Sequence, residues 1–217
     1  EDILSVENIG RHLLGFKDLN TSKVDAIKSF LKGKLPSQNI KTYNESIVDL
    51  FNNSSRVLES QDFIFLCIGK QSVEKWFIEL LANEKINKPI FILWVEPFLL
   101  GGQCLYIHPD KKVLINKLFY DVYKYKFSII EQNELANKRE LFTMKESGCQ
   151  STFSPYSSSH LSLFISSVYP KIFQIIENKS NQSVSFSWVG DTNIAKDLNI
   201  KLNFEKEDKY KLFENLL

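Results

Sequence analysis

The stretch Asp62-Phe-Ile-Phe-Leu-Cys-Ile-Gly69 is a nearly continuous apolar run that ends at a glycine. Such a run is typical of a strand that is buried on both faces, as in a parallel sheet. A helical apolar stripe and a second apolar run, Pro89-Ile-Phe-Ile-Leu-Trp-Val95, follow it. This order predicts a βαβ unit with a right-handed crossover. The stripe consists of Val73, Trp76, Phe77, Leu80 and Leu81.

The segments around this unit extend the same pattern. Apolar side chains at helical spacing predict a helix over residues 21–35, which Pro36 ends. Residues 39–43 and 103–107 have the composition of further strands. We therefore predict an α/β fold with a Rossmann-like, mostly parallel sheet flanked by helices.

The second half of the chain has a different character. An apolar stripe from Leu161 to Ile175 predicts a long helix, and Pro170 within it predicts a kink or two abutting helices. Short strands are predicted at residues 184–188 and near 200–204. We expect residues 109–217 to be a helical and mixed C-terminal extension of the domain that residues 1–108 begin.

Composition excludes several classes of protein. The chain has 217 residues, 43% hydrophobic content and a net charge of +1, so no overall charge argues for nucleic acid or an anionic membrane. Three cysteines without a framework spacing argue against a disulfide scaffold and for a reducing cytoplasm. No apolar run approaches the ~20 residues of a membrane-spanning helix.

Familiar catalytic and metal motifs are absent from the sequence. There is no GxGxxG, no GxxxxGK[ST] and no CxxC, and the three histidines are scattered. Cys149 and His160 are close in sequence and have no evident orienting Asn or Asp, which disfavours a cysteine-protease dyad.

Cys149 is the best candidate for a nucleophile. It follows Gly148 in a small, polar loop, and we expect a helix to begin near Ser157. The thiolate is the reactive form of cysteine, and helix N-termini lower the pKa of a thiol. The alternative is an incidental loop cysteine.

Lys23 is unusual because it lies in the first turn of the predicted helix, where the helix dipole disfavours a cation. Two interpretations are open. It is either a solvated surface lysine or a side chain whose charge a bound phosphate compensates.

Four patterns together resemble one family. Asp2-(x5)-Asn8-x-x-Arg11 precedes the helix that carries Lys23, and the Asp62–Gly69 strand follows. Trp94-x-Glu96-Pro97-(x3)-Gly101-Gly102 and then Gly148-Cys149 complete the order. Across residues 1–165 the chain resembles the ThiF/MoeB superfamily of adenylating enzymes, and especially bacterial members in ubiquitin-like conjugation, some of which act in phage defence.

The resemblance implies a function and its site. Asn8, Arg11 and Lys23 match nucleotide-binding positions, with Arg11 and Lys23 meeting the ATP phosphates. Cys149 matches the cysteine that accepts the modifier's C-terminus as a thioester. The implied cofactors are ATP and Mg²⁺. The implied partners are a ubiquitin-like modifier, an acceptor similar to ubiquitin-conjugating enzymes, and a second copy in a homodimer.

Two departures qualify the resemblance. The family's glycine-rich loop and its ribose-binding acidic residue would precede Glu1, so the chain is expected to be the C-terminal portion of the adenylation domain. Many members also have a magnesium-binding aspartate where this chain has Gly69, and the nearest carboxylates in the sequence are Asp62 and Glu74, to which no metal role is assigned. Two alternatives therefore stay open: a non-catalytic docking or dimerisation module, and an adenylating or sulfur-transfer enzyme for a small metabolite or peptide.

Overall fold

The structure is a computed structural model that describes residues 2–110, 115–120, 124–145, 152–153 and 156–217. The α-helices are α1 (Lys23–Lys34), α2 (Ile47–Ser54), α3 (Arg56–Glu59), α4 (Gln71–Ala82), α5 (Ile115–Leu118), α6 (Gln132–Asn137), α7 (Arg139–Phe142), α8 (Ser158–Glu177) and α9 (Thr192–Asp197). The strands are β1 (Ile64–Leu66), β2 (Ile90–Val95), β3 (Gly101–Ile107), β4 (Met144–Lys145), β5 (Thr152–Phe153), β6 (Val184–Val189) and β7 (Leu212–Leu216). Short 3-10 helices cover Val6–Arg11, Phe16–Asp18, Pro97–Leu99 and Lys206–Asp208.

Five strands form the main sheet in the order β1-β2-β3-β6-β7. β1 and β2 are parallel and α4 connects them, which confirms the predicted βαβ unit. The fold is α/β, with a mixed sheet flanked by helices. Strands from both halves of the sequence share this sheet.

The prediction of a mostly parallel sheet is wrong for the five strands described. Only β1 and β2 pair in parallel, and the other three pairings are antiparallel. The connection from β2 to β3 is one reason, because it has only five residues, 96–100. A parallel return needs a crossover of a dozen or more residues, so this connection forces β3 to run back along β2.

The sheet has a hydrophobic core on each face. Alternate residues of β2 point to opposite sides, so Ile90 and Ile92 pack toward α4 while Phe91 and Leu93 pack toward α8. All seven residues of β3 are buried. This two-sided burial explains why β2 reads as a continuous apolar run instead of an alternating one. For β1 the expected burial on both faces is wrong, because β1 is an edge strand and Phe65 is 47% exposed.

Other local predictions had mixed outcomes. The helix predicted over residues 21–35 is confirmed as α1, and the long helix is confirmed as α8, which runs unbroken through Pro170 rather than as two helices. The prediction of a strand at residues 39–43 is wrong, because this segment is irregular and mostly exposed. Among the described residues no strand pairs with it. Near residues 200–204 there is only an isolated bridge between Ile130 and Leu202.

Candidate functional site

The N-terminal segment is attached to the start of α1. Ile3 forms a β-bridge with Ser22, and the Lys23 amide donates to the Asp2 carbonyl at 2.9 Å. The Lys23 ammonium also lies 2.7 Å from the Asp2 carboxylate. The Lys23 side chain is 19% exposed and that of Asp2 is 69% exposed. Asp2 therefore provides an acidic partner for the first-turn lysine, and the phosphate role of Lys23 stays a prediction.

Asn8 and Arg11 lie in the 3-10 helix Val6–Arg11, just before α1. Their side chains are outside the described part of the chain, so their nucleotide-binding role stays a prediction. The backbone around them is held by small apolar contacts: Leu4 and Leu14 are buried against Ala26 of α1. This cluster places the Asn-x-x-Arg segment and Lys23 in one N-terminal unit.

Cys149 lies outside the described residues, and its role as a nucleophile stays a prediction. The predicted helix start behind it is confirmed, because α8 begins at Ser158. The Ser157 hydroxyl caps this helix by accepting a hydrogen bond from the His160 amide at 3.3 Å.

Gly69 follows β1 at the edge of the sheet where the parallel strands β1 and β2 both end. Its φ of +65° lies in the left-handed region, which glycine adopts without strain. The chain then turns into α4 at Gln71. In open α/β sheets, ligands bind in the crevice beyond the carboxyl ends of parallel strands.

A cavity of about 440 Å³ occupies this position, and we refer to it as the strand-end cavity. Its volume lies in the range of small-molecule sites. Its lining is largely apolar and aromatic, with a few polar side chains. The rings of Trp94 and Tyr125 pack edge-to-face, with their centroids 4.8 Å apart. The lining residues are Gly69, Gln71, Glu74, Ile78, Ile92, Trp94, Val95, Glu96, Pro97, Leu105, Phe119, Lys124, Tyr125, Ser128, Gln132, Leu135 and Ala136.

Glu74 is the unusual ionisable group of this cavity. Its side chain projects from α4 and is only 6% exposed, and its Oε1 has no hydrogen-bond partner among the described residues. Burial raises the pKa of Glu74 to about 7, although hydrogen bonds from the amides of Gly69 and Lys70 oppose the shift. Glu74 therefore changes its charge near neutral pH.

Glu96 lies at the other side of the cavity and is fully bonded. Its Oε1 accepts from Gln103 Nε2 and from the Ile129 amide, both at 2.8 Å, and its Oε2 accepts from the Ile130 amide at 2.8 Å. Gln103 in turn accepts from the Ser187 hydroxyl at 2.8 Å. Burial raises the pKa of Glu96, and these donors oppose the shift. The bonds fix the segment that forms the cavity wall.

The Gly101-Gly102 pair allows close packing in this region. A Cβ on Gly101 would lie 2.5 Å from Ile129, and one on Gly102 would lie 2.4 Å from the Phe164 ring. The close neighbours are therefore side chains of the protein itself.

The sequence draws attention to Glu74 only as one of the two carboxylates nearest Gly69, and it assigns Glu74 no role. A stronger signal is the position of this carboxylate on the inward face of α4, beside Phe77, Ile78 and Leu81. Within the described ranges, no group of three or more His, Cys, Asp and Glu side chains could hold a metal ion. In the same ranges, no helix is long and apolar enough to cross a membrane.

Comparisons with known proteins support the fold alone. No protein-family model and no curated protein matches the chain. Among solved structures, the crystal structure of selenomethionine PaaA matches with a TM-score of 0.62 at 14% sequence identity. The match covers 99% of this chain and 62% of that chain. This chain therefore corresponds to less than two thirds of the length of PaaA.

Replacing Glu74 with glutamine is expected to change how stability depends on pH. The folded-state pKa of about 7 exceeds the ordinary value of 4.5, so the protonated carboxyl stabilises the fold at low pH. That stabilisation is lost as the pH rises from about 4.5 to about 7. At about 1.4 kcal/mol per pKa unit, the stability of Glu74→Gln relative to wild type should therefore increase by about 3 kcal/mol between pH 4 and pH 8.

Urea unfolding at both pH values measures this difference. Glu79→Gln is the matched control, because Glu79 is exposed on the same helix. Its difference from wild type should not change with pH. A Glu74→Gln difference that is also independent of pH would contradict the assigned titration.

Proposed function

We propose that this protein activates the C-terminal carboxylate of a ubiquitin-like modifier with ATP and then carries it as a thioester on Cys149. The proposal follows the resemblance to the ThiF/MoeB superfamily. The observation that supports it best is spatial: Gly69, Trp94 and Glu96 come from separate segments of the resemblance, and all three line the strand-end cavity. That cavity lies beyond the carboxyl ends of β1 and β2, the parallel pair among the described strands.

The proposed reaction has two steps. A carboxylate oxygen of the modifier attacks the α-phosphorus of ATP, and the bond to pyrophosphate breaks to give an acyl-adenylate. The Cys149 thiolate then attacks the carbonyl carbon, and AMP leaves with the electron pair of the broken C–O bond. Arg11 and Lys23 would offset the negative charge on the phosphates.

Lys23 can take this role at a small energetic cost. Its present partner, the Asp2 carboxylate, is 69% exposed, and ion pairs of exposed groups contribute about 0–1 kcal/mol. A phosphate could therefore replace or share this contact. The proposal requires Lys23 to contribute more to ATP chemistry than its pairing with Asp2 can explain.

Magnesium is not assigned to protein ligands. The described residues contain no group of three potential ligands, and Gly69 has no side chain to offer where many family members have aspartate. The described residues therefore do not form a cage of protein ligands for magnesium, which commonly binds through one or two carboxylates and the phosphates of the substrate. We assign no step to such a metal.

A second candidate is activation of a small metabolite or peptide with the same adenylating chemistry. The strand-end cavity favours it, because about 440 Å³ suits a small molecule. The two candidate functions are distinguished by the substrate that forms an adenylate with ATP, which is the modifier in the first and a small metabolite or peptide in the second. The homodimer and the conjugating-enzyme-like acceptor stay predictions.

Replacing Cys149 with alanine is expected to abolish the thioester but not the adenylation. Full-length protein with ATP and its modifier should form an adduct that thiol reagents cleave. Cys149→Ala should lose the adduct and keep ATP–pyrophosphate exchange, since the thiol acts only after the adenylate forms. Cys67→Ala is the matched control and should keep the adduct. An adduct that persists in Cys149→Ala would rule out the role of Cys149.

Replacing Lys23 with alanine is expected to lower ATP–pyrophosphate exchange itself by about 100-fold, the scale of one lost transition-state contact. Lys32→Ala, an exposed lysine on the same helix, should leave the exchange unchanged. Asp2→Asn removes the ion pair but keeps the lysine, and it should reduce exchange far less than Lys23→Ala. Equal effects of Asp2→Asn and Lys23→Ala would show that the lysine acts only through Asp2.

A further inference from the structure

The strand-end cavity contains a carboxyl group that the proposed function does not use. We propose that this cavity binds a small molecule that carries a protonated amine on an apolar or aromatic body, with the Glu74 carboxylate as the partner of the amine. The inference does not involve the modifier, Cys149 or the phosphate candidate Lys23, which does not line this cavity.

Glu74 has a hydrogen-bonding capacity that the described residues do not fill. The side chain is 94% buried, and its Oε1 has no partner among the described residues although the group lines the cavity. The amides of Gly69 and Lys70 donate to this carboxyl, but a buried oxygen without a partner is still costly, because buried polar atoms are normally hydrogen-bonded. A ligand N–H in the cavity would complete the bonding of Glu74.

The ionisable groups that line the cavity differ in whether they can still accept a hydrogen bond. Glu96 accepts hydrogen bonds on both carboxylate oxygens, so Glu74 is the acidic group with free capacity. Lys124 lines the cavity from an exposed position, and the Lys75 ammonium lies over the Phe119 ring at 4.2 Å from its centroid. Glu74 is therefore the buried acid of the lining with an unpartnered oxygen, and its ionised form favours a ligand ammonium group as donor.

The walls of the cavity suit an apolar or aromatic ligand body. Trp94, Tyr125 and Phe119 provide aromatic surfaces, and Ile78 and Ile92 provide aliphatic ones. Aromatic faces attract cations and bury apolar groups, so both ends of an aryl-alkylamine find partners here. About 440 Å³ accommodates such a molecule.

The pairing of a ligand ammonium group with Glu74 also makes the affinity for the ligand depend on pH. Burial raises the pKa of Glu74 to about 7, so the ligand-free carboxyl becomes protonated below neutral pH. The other ionisable groups lining the cavity are Glu96, Lys124 and Tyr125. If Glu74 must lose its proton to pair with an ammonium group, amine affinity should fall about tenfold per pH unit below 7.

Titration calorimetry with benzylamine tests the inference, with benzyl alcohol as the neutral analogue of similar shape. Wild-type protein at pH 8 should bind benzylamine saturably and at least ten times more tightly than benzyl alcohol. Glu74→Gln should lose at least tenfold in benzylamine affinity and little for the alcohol. Glu79→Gln should bind both probes like wild type.

Several results would overturn the proposal: no saturable binding of benzylamine to wild-type protein, equal affinity for the two probes, or unchanged benzylamine affinity in Glu74→Gln. The wild-type pH profile is a second measurement that needs no variant. Affinity for benzylamine that stays constant from pH 8 to pH 5 would exclude Glu74 as the partner of the amine.

Discussion

The buried carboxylate of Glu96 is the interaction on which the site region depends. It joins the turn after β2 to the amides of Ile129 and Ile130, and through Gln103 it reaches Ser187 in β6. Removing one partner from such a network would leave a charge or donor unsatisfied in the interior, which is strongly destabilising. The network therefore holds the wall opposite α4 in place, and the strand-end cavity is the space that remains between them.

The fold was predictable where local pattern determines it. The apolar runs and the stripe between them identified β1, α4 and β2, and helical spacing identified α1 and α8. Strand direction was not predictable, because a run buried on both faces looks the same in parallel and antiparallel sheets. The strand expected at residues 39–43 failed because pairing depends on a neighbouring strand, which a local pattern does not reveal.

The candidate site was predictable only in part. Sequence reasoning singled out Lys23 from its position in the first helical turn, but it could not foresee that Asp2 would supply a counter-charge. It noted Glu74 only as a carboxylate near Gly69 and gave it no role, because an apolar stripe is recognised by its hydrophobic members. A carboxyl on the same face becomes informative only when its burial and its unpartnered oxygen are known. Cys149 remains a prediction from its loop and from the confirmed start of α8.

The central claim is that ATP binds at the N-terminal unit and at the carboxyl end of β1. Amide hydrogen exchange of the full-length protein, measured by mass spectrometry with and without ATP and Mg²⁺, tests it most directly. The account predicts slower exchange in residues 2–23 and 66–74 and little change in β7. Unchanged exchange in both of those segments at saturating ATP would contradict it.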